Sequence, residues 1–170
     1  MIDMVDSKGT DVGRSEAREG ETVTRPIAIT LTIMMLAGCQ GLPADVEGFE
    51  TRCLEMTTEP IPPHADDPHE GFKRVYACNV SDAQRRALQA GDVTVFPEEA
   101  LIVKASRRDG EDFNWLVATA RKLGGQWEWL EYTRNFDDER FLEIPASPQV
   151  CVDCHRAATA SDWIFTRFAR

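Results

Sequence analysis

The stretch that decides the fold is Asn114–Thr133, which reads "NWLVATARKLGGQWEWLEYT". Two runs rich in β-branched and aromatic residues, which favour strands, lie on either side of Gly124 and Gly125. A tight two-residue hairpin turn needs positive φ at its central residues, and glycine adopts that conformation without steric cost. The stretch therefore predicts an antiparallel β-hairpin.

The second run of this hairpin carries large side chains on both faces. Side chains alternate along a strand, so Trp127 and Trp129 share one face while Leu130 and Tyr132 share the other. We therefore expect protein to cover both faces of the sheet. We interpret the two tryptophans as core residues, with contact to a bound cofactor as the alternative.

The sequence before the hairpin predicts more β-structure and one helix. Val93–Thr133 includes the further runs "VTVFP" and "ALIVKAS", so we interpret it as three or four antiparallel strands. A strand is predicted over Phe72–Val80, and a short helix over Ser81–Asp92 begins with a capping box and ends at a glycine C-cap. The predicted fold class is α+β: a mainly antiparallel β-sheet with short helices and a C-terminal helix.

Composition limits the size and the partners of the protein. The chain has 170 residues, of which 42% are hydrophobic, enough for the core of a single domain. Its formal net charge is −10. Binding to nucleic acid needs concentrated positive charge, and the sequence contains no Lys/Arg cluster, so this class of partner is excluded.

The N-terminal region predicts export and lipidation. Residues 26–38 form a 13-residue apolar run, and with Cys39 the end of the run reads "LAGC", which resembles the lipobox of bacterial lipoproteins. We expect cleavage before Cys39, a lipid on its thiol, and a location on the periplasmic side of the cell envelope. The alternative is a buried core helix.

Residues 1–22 carry six acidic and three basic side chains, whereas a signal peptide begins with a positively charged region. We therefore predict that translation begins near Val23.

The mature chain is expected to contain two parts and one disulfide. Residues 39–71 are predicted to form a lipid-attached tether and irregular segment, and residues 72–170 the folded domain. Of five cysteines, Cys53 and Cys78 remain after the lipidation site and the C-terminal motif are assigned. A disulfide between them is typical of an exported protein, and two reduced, buried cysteines are the alternative.

The C-terminal motif "CVDCH", Cys151–His155, has the spacing of a c-type haem attachment site. The thiols of Cys151 and Cys154 lie nearly one helical turn apart and would bond the two vinyl groups of the porphyrin, with His155 as the axial ligand of the iron. Two alternatives are a zinc site with His64 or His69 as a fourth ligand and a redox-active thiol pair.

The position of the motif indicates which kind of haem protein to expect. Fifteen residues without a methionine follow His155, too few to wrap several helices around a haem. The segments before the motif predict strands and not the long amphipathic helices of a four-helix bundle. We therefore expect a haem pocket built from a β-sheet.

These segments resemble the cytochrome P-460 family, which includes the β-sheet cytochromes c′. The resemblance covers Phe72–Phe168 and rests on "VYACNVSDAQRRALQAGDVTVFPEEALIVKAS", "GGQWEW", "CVDCH" and "SDWIFT". It implies an antiparallel sheet that forms a homodimer and an iron with an open distal side.

In the enzymatic branch of the family a lysine is linked covalently to the porphyrin. Lys104 is the candidate here, and a lysine extending from the sheet edge is the alternative. Asp162 and Trp163 are candidates to lie beside the haem edge, with a solvated acid and a core aromatic as the alternative.

The candidates for a sixth iron ligand lie in the predicted irregular segment. They are Met56, His64 and His69, and no predicted strand or helix holds them. We therefore expect a five-coordinate iron that binds NO or oxidises a small nitrogen compound such as hydroxylamine, with a periplasmic electron carrier as partner. The alternatives are a six-coordinate electron-transfer protein and a nonhaem structural module with a metal at the motif.

Overall fold

The computed structural model of the chain describes residues 41–92, 95–145 and 147–165. The predicted signal region, the lipidation site Cys39 and the predicted start near Val23 lie outside the described residues. Within those residues, no helix has the length and apolar character needed to cross a bilayer.

The described part of the chain forms one antiparallel sheet of six strands in which each strand pairs with the next along the sequence. This arrangement agrees with the predicted α+β class. The strands are β1 (Leu54–Glu55), β2 (Phe72–Cys78), β3 (Leu101–Arg107), β4 (Leu116–Leu123), β5 (Gln126–Thr133) and β6 (Leu142–Glu143). The helices are α1 (Phe49–Arg52), α2 (Asp82–Ala90), α3 (Pro148–His155) and a 3-10 helix (Arg156–Ser161).

The hairpin predicted from the two glycines joins β4 and β5. Gly124 and Gly125 have φ values of 59° and 75°, and Leu123 pairs with Gln126 across the turn. Both glycine N–H groups donate to the carboxylate of Glu98. The prediction of a tight turn with positive φ is thereby confirmed.

The helix predicted after β2 is also confirmed. The Ser81 hydroxyl accepts a hydrogen bond from the Gln84 N–H while the Gln84 side chain accepts from the Ser81 N–H, which completes the capping box. Gly91 ends the helix in the left-handed conformation, with φ 75°.

The expectation of three or four strands over Val93–Thr133 is met by three, and one of the four runs forms no strand over its described residues. Residues 95–97 of the run "VTVFP" form no strand, and residues 93 and 94 lie outside the description. Phe96 is buried, but its N–H donates to the side chain of Asp162 and not to a neighbouring strand. Val93–Thr133 therefore contributes three strands, β3, β4 and β5.

Both faces of the sheet are covered, as the alternation in β5 predicted. On one face, buried residues of β2, β3 and β4 pack with Leu88 of α2 and with Ile164, and Trp127 and Trp129 lie against them. On the other face the sheet packs against Phe49 of α1, and Leu130 lies against that second cluster.

The segment predicted to be irregular contains regular structure. Helix α1 and strand β1 lie within residues 41–71, and Val46 and Phe49 are buried. The ring of Phe49 meets that of Tyr76 edge-on, with centroids 5.0 Å apart. A disulfide joins Cys53 to Cys78, with Cα atoms 4.6 Å apart. This segment is thus attached to the sheet, because its few apolar residues pack against one face of the sheet. The local sequence pattern gives no sign of this contact.

Candidate functional site

A cavity of about 360 Å³ lies between one face of the sheet and the C-terminal helical region. The strand register explains its sheet wall. Lys104 pairs with Val75 on one side and with Ala118 on the other, and Ala118 pairs with Glu131, so these four side chains form one row across the same face. The neighbouring row adds apolar lining from Ile102, Ala120 and Trp129.

Helix α3 brings the three residues of the sequence motif to this cavity. Cys151, Cys154 and His155 all line it. The helix begins after Ser147, with Pro148 at a position where the missing N–H has no cost. Both cysteines are free thiols, and burial raises the pKa of Cys151. The motif therefore presents two reduced thiols and an imidazole to one apolar space.

His155 is held in one tautomer by the backbone. Its Nδ1 lies 2.6 Å from the carbonyl oxygen of Trp163. A carbonyl oxygen only accepts hydrogen bonds, so Nδ1 carries the proton and the lone pair of the neutral ring is on Nε2. Burial lowers the pKa of His155, which favours this neutral form. Its ring contacts those of Trp129 and Phe165, with centroid distances of 4.4 Å and 5.2 Å.

Four charged side chains also line the cavity, and with Lys73, which pairs with one of them, we call them the polar cluster: Asp67, His69, Lys73, Lys104 and Glu131. His69 is at its centre. Its Nε2 lies 3.0 Å from Oε1 of Glu131, and its Nδ1 lies 3.1 Å from Oδ1 of Asp67 and 3.0 Å from Nζ of Lys104. Burial disfavours the charged ring, but the hydrogen bonds to Asp67 and Glu131 outweigh it and raise the pKa of His69.

The two lysines of the polar cluster flank Asp67. Nζ of Lys73 lies 2.9 Å from Oδ2 of Asp67, and Lys73 is 0% exposed. Nζ of Lys104 lies 3.7 Å from Oδ1. Burial by itself would raise the pKa of Asp67. The hydrogen bonds to His69 and Lys73 have the larger combined effect, so the pKa falls well below the ordinary range.

The pKa of Lys104 shifts in the direction opposite to that of His69. Burial lowers it, because the charged ammonium loses solvation. Glu131 shifts as well, since its hydrogen bond to His69 lowers its pKa. Together the shifts favour a charged His69 between two carboxylates and, beside it, an amine that loses its proton more readily than an ordinary lysine.

The three candidate sixth ligands occupy different surroundings. His64 lines the cavity, but its side chain is 74% exposed. His69 lines the cavity and is held by carboxylates, although no helix or strand carries it. Met56 packs against the hydrophobic cluster of the cavity face. The expectation that nothing holds these loop residues is thus corrected for His69, because a carboxylate from β5, distant in sequence, fixes its ring.

The other predicted residues are near the site, in unequal roles. Lys104 lines the cavity. Trp163 contributes its carbonyl to His155, whereas Asp162 pairs with Lys122. Sequence reasoning missed Asp67, Lys73 and Glu131. For Glu131 the sequence contained a signal. It shares one face of β5 with Trp127 and Trp129, and a charged residue on an otherwise apolar face needs a polar partner.

The arrangement of the described residues does not favour the alternative of a zinc site at the motif. Among the described residues, no group of three or more His, Cys, Asp or Glu side chains is placed to hold a metal ion.

No family model, curated protein or solved structure matches the chain. The likeness to the cytochrome P-460 family therefore rests on the sequence motifs and their order.

Proposed function

We propose that this protein is a lipid-anchored periplasmic c-type cytochrome whose haem iron has an open side that binds NO or oxidises a small nitrogen compound such as hydroxylamine. The observation that carries the proposal is one cavity that brings together Cys151, Cys154, His155 and an apolar sheet wall. The wall comes from β2, β3, β4 and β5, all of which precede the motif along the chain.

The residues of the cavity fit a covalently attached haem. Cys151 and Cys154 are free thiols and would form the two thioether bonds, while His155, protonated on Nδ1, has Nε2 available for the iron. The backbone carbonyl that fixes its tautomer is the kind of outer partner that haem and metal ligands use. When bound, the haem would supply an iron centre that takes small ligands and exchanges electrons.

The polar cluster supports an open iron over a six-coordinate one. Both ring nitrogens of His69 have carboxylate partners, and breaking these contacts would cost the ion pair with Asp67 and leave the part-buried carboxylate of Glu131 without its hydrogen-bond partner. His64, with its exposed side chain, is the remaining histidine at the cavity.

Lys104 is the proposed site of the porphyrin cross-link, supported by its place at the cavity and its lowered pKa.

The remaining parts of the proposal rest on the sequence. The lipid anchor and the envelope location come from the lipobox-like segment at Cys39, and the homodimer comes from the resemblance to the cytochrome P-460 family. A periplasmic electron carrier is the partner that oxidation of a nitrogen compound requires.

Haem attachment is tested first. The full chain is expressed with and without the cytochrome c maturation machinery, and its mass and absorption spectrum are compared with those of C151S, C154S and the double variant. We expect a mass increase of one haem in the wild type and none in the double variant. A wild-type protein that emerges from maturation without covalent haem would overturn the proposal.

The state of the iron is tested on the same samples. Ferrous protein is titrated with CO and NO, with H64A as a matched variant. We expect a high-spin spectrum that responds to both gases and is unchanged in H64A. Low-spin bands that resist both gases in the wild type and respond in H64A would instead identify a six-coordinate electron-transfer protein.

Gas binding and catalysis are separated through Lys104. A cross-linked haem is expected to show the strongly red-shifted ferrous Soret band for which the family is named, and hydroxylamine oxidation with an added electron acceptor. In K104R both are expected to disappear while haem attachment and NO binding persist. An ordinary Soret band in both proteins, with no turnover of hydroxylamine, would restrict the function to gas binding.

A further inference from the structure

The turn that begins at the last residue of the 3-10 helix, Ser161–Ile164, has an unusual backbone. Asp162 and Trp163 are consecutive, and both have positive φ, 55° and 68°. Residues with a side chain adopt this conformation at a steric cost, so other contacts must hold the turn in place. We call this segment the C-terminal turn.

The carboxylate of Asp162 ties the C-terminal turn to the rest of the domain. Its Oδ2 accepts a hydrogen bond from the N–H of Phe96 at 2.9 Å and forms an ion pair with Nζ of Lys122. Lys122 lies on β4 and is nearly buried. Two contacts to segments distant in sequence therefore converge on one side chain.

Contacts inside the turn are weaker anchors to the domain. The hydroxyl of Ser161 donates to the carbonyl of Ile164 at 2.6 Å, and the N–H of Trp163 donates to the carbonyl of Ala158 at 2.9 Å. These bonds close the turn on itself. The buried side chain of Ile164 also attaches the turn to the core.

The carbonyl that holds His155 belongs to this turn. Trp163 follows Asp162 directly, and its oxygen accepts from Nδ1 of His155 at 2.6 Å. A rotation of the Asp162–Trp163 backbone would move this oxygen away from the imidazole. The ring would then have no fixed tautomer.

We propose that Asp162 is a positioning residue for His155: by binding Lys122 and the Phe96 N–H it holds the C-terminal turn so that the Trp163 carbonyl keeps the imidazole proton on Nδ1. The consequence for a bound iron rests on the proposed function. The consequence for the tautomer does not, because it is a property of the polypeptide alone.

The first test measures the tautomer in the haem-free full chain. Long-range ¹H–¹⁵N NMR correlations at about pH 8, above the ordinary histidine pKa, distinguish the protonated from the bare ring nitrogen. We expect Nδ1 of His155 to be protonated in the wild type. In D162N the ratio of the two tautomers should shift by about fivefold, the change that corresponds to one ordinary hydrogen bond.

Two matched variants separate positioning from general stability. V103A removes two methyl groups from the core on the other face of the sheet and should lower stability while leaving the tautomer unchanged. D138N makes the same chemical change at an exposed carboxylate and should alter neither quantity. If D162N fails to fold, K122M removes the ion pair, and with it the contact of the ammonium with the Trp127 ring, but keeps the Phe96 hydrogen bond. It should shift the ratio in the same direction by a smaller factor.

The second test uses the haem-loaded protein. A weaker hydrogen bond at Nδ1 makes the imidazole less basic, so D162N should lower the iron–histidine stretching frequency and raise the reduction potential. A wild-type proton on Nε2, or a tautomer ratio and stretching frequency in D162N equal to those of the wild type, would overturn the inference. Failure of haem to attach would refute the proposed function, and the NMR measurement would still decide the role of Asp162.

Discussion

Removal of the Asp67 carboxylate should be among the most damaging single changes at the cavity. Asp67 faces the fully buried Lys73 at 2.9 Å, and it also contacts His69 and Lys104. Breaking a buried pair by removing one partner leaves an uncompensated charge and costs about 3–5 kcal/mol. The Asp67 side chain is 21% exposed, so we expect D67N to lower the free energy of unfolding by about 3 kcal/mol, at the lower end of that range.

The reverse change should cost much less. K73M replaces the ammonium with an apolar side chain of similar length, and Asp67 keeps His69 and Lys104 as partners. We expect K73M to cost about 1 kcal/mol, because an apolar replacement of a buried charge is often close to neutral. In the double variant D67N/K73M no lysine charge is left unpaired at this position, so it should be about 2 kcal/mol more stable than the two single effects would predict if they were additive.

The assay is urea unfolding at neutral pH, followed by tryptophan fluorescence and by circular dichroism. Asp66 offers a matched control, since it is adjacent in sequence and its side chain is 93% exposed. D66N should change the free energy of unfolding by less than about 0.5 kcal/mol. A D67N variant within about 1 kcal/mol of the wild type, or strict additivity in the double variant, would refute the reasoning that a buried charge pair holds this wall of the cavity.

Three further predictions follow from the same structure. Replacing Cys53 and Cys78 by alanine should lower the free energy of unfolding by roughly 3.5 kcal/mol, because the bridge closes a loop of 25 residues; an effect under about 1 kcal/mol would contradict this estimate. Acylation of amines read by peptide mass spectrometry should show a pH midpoint for Lys104 below the ordinary lysine value of about 10.4, since burial lowers the pKa of Lys104; a midpoint at or above that value would argue against the shift. Because the pKa of His69 is raised, the stability that its charged ring contributes is fully present below the unfolded-state pKa of about 6.5 and is lost as the pH rises through the folded-state pKa. The free energy of unfolding should therefore fall as the pH rises above about 6.5, relative to that of H69Q; parallel pH profiles would contradict it.

The elements with strong local signals were predictable. The two glycines predicted the hairpin of β4 and β5, and Ser81 with Gln84 predicted the start of α2, because turn and cap geometry depend on neighbouring residues alone. The run at residues 95–97 is the one of the four that forms no strand, because a strand exists only where another strand pairs with it, and the Phe96 N–H instead donates to a side chain of the C-terminal turn.

The candidate site was predictable only in part. The spacing of Cys151, Cys154 and His155 is visible in the sequence, and so is the unusual lysine at position 104. The role of His69 was not, since its ring partners come from Asp67, two residues away, and from Glu131, 62 residues away. Such a contact is set by sheet register and loop placement, which no local pattern encodes.

The sequence by itself determined which local features the chain can form: two thiols and an imidazole spaced within about one helical turn, the hairpin and the alternating strands. Only the tertiary structure decided what those groups face. It set Lys104 and Glu131 in one row of the cavity wall, surrounded His69 with carboxylates, and brought the Trp163 carbonyl to His155. The physical reason is that local spacing controls which atoms are available, whereas burial and long-range pairing control their charge, tautomer and partners.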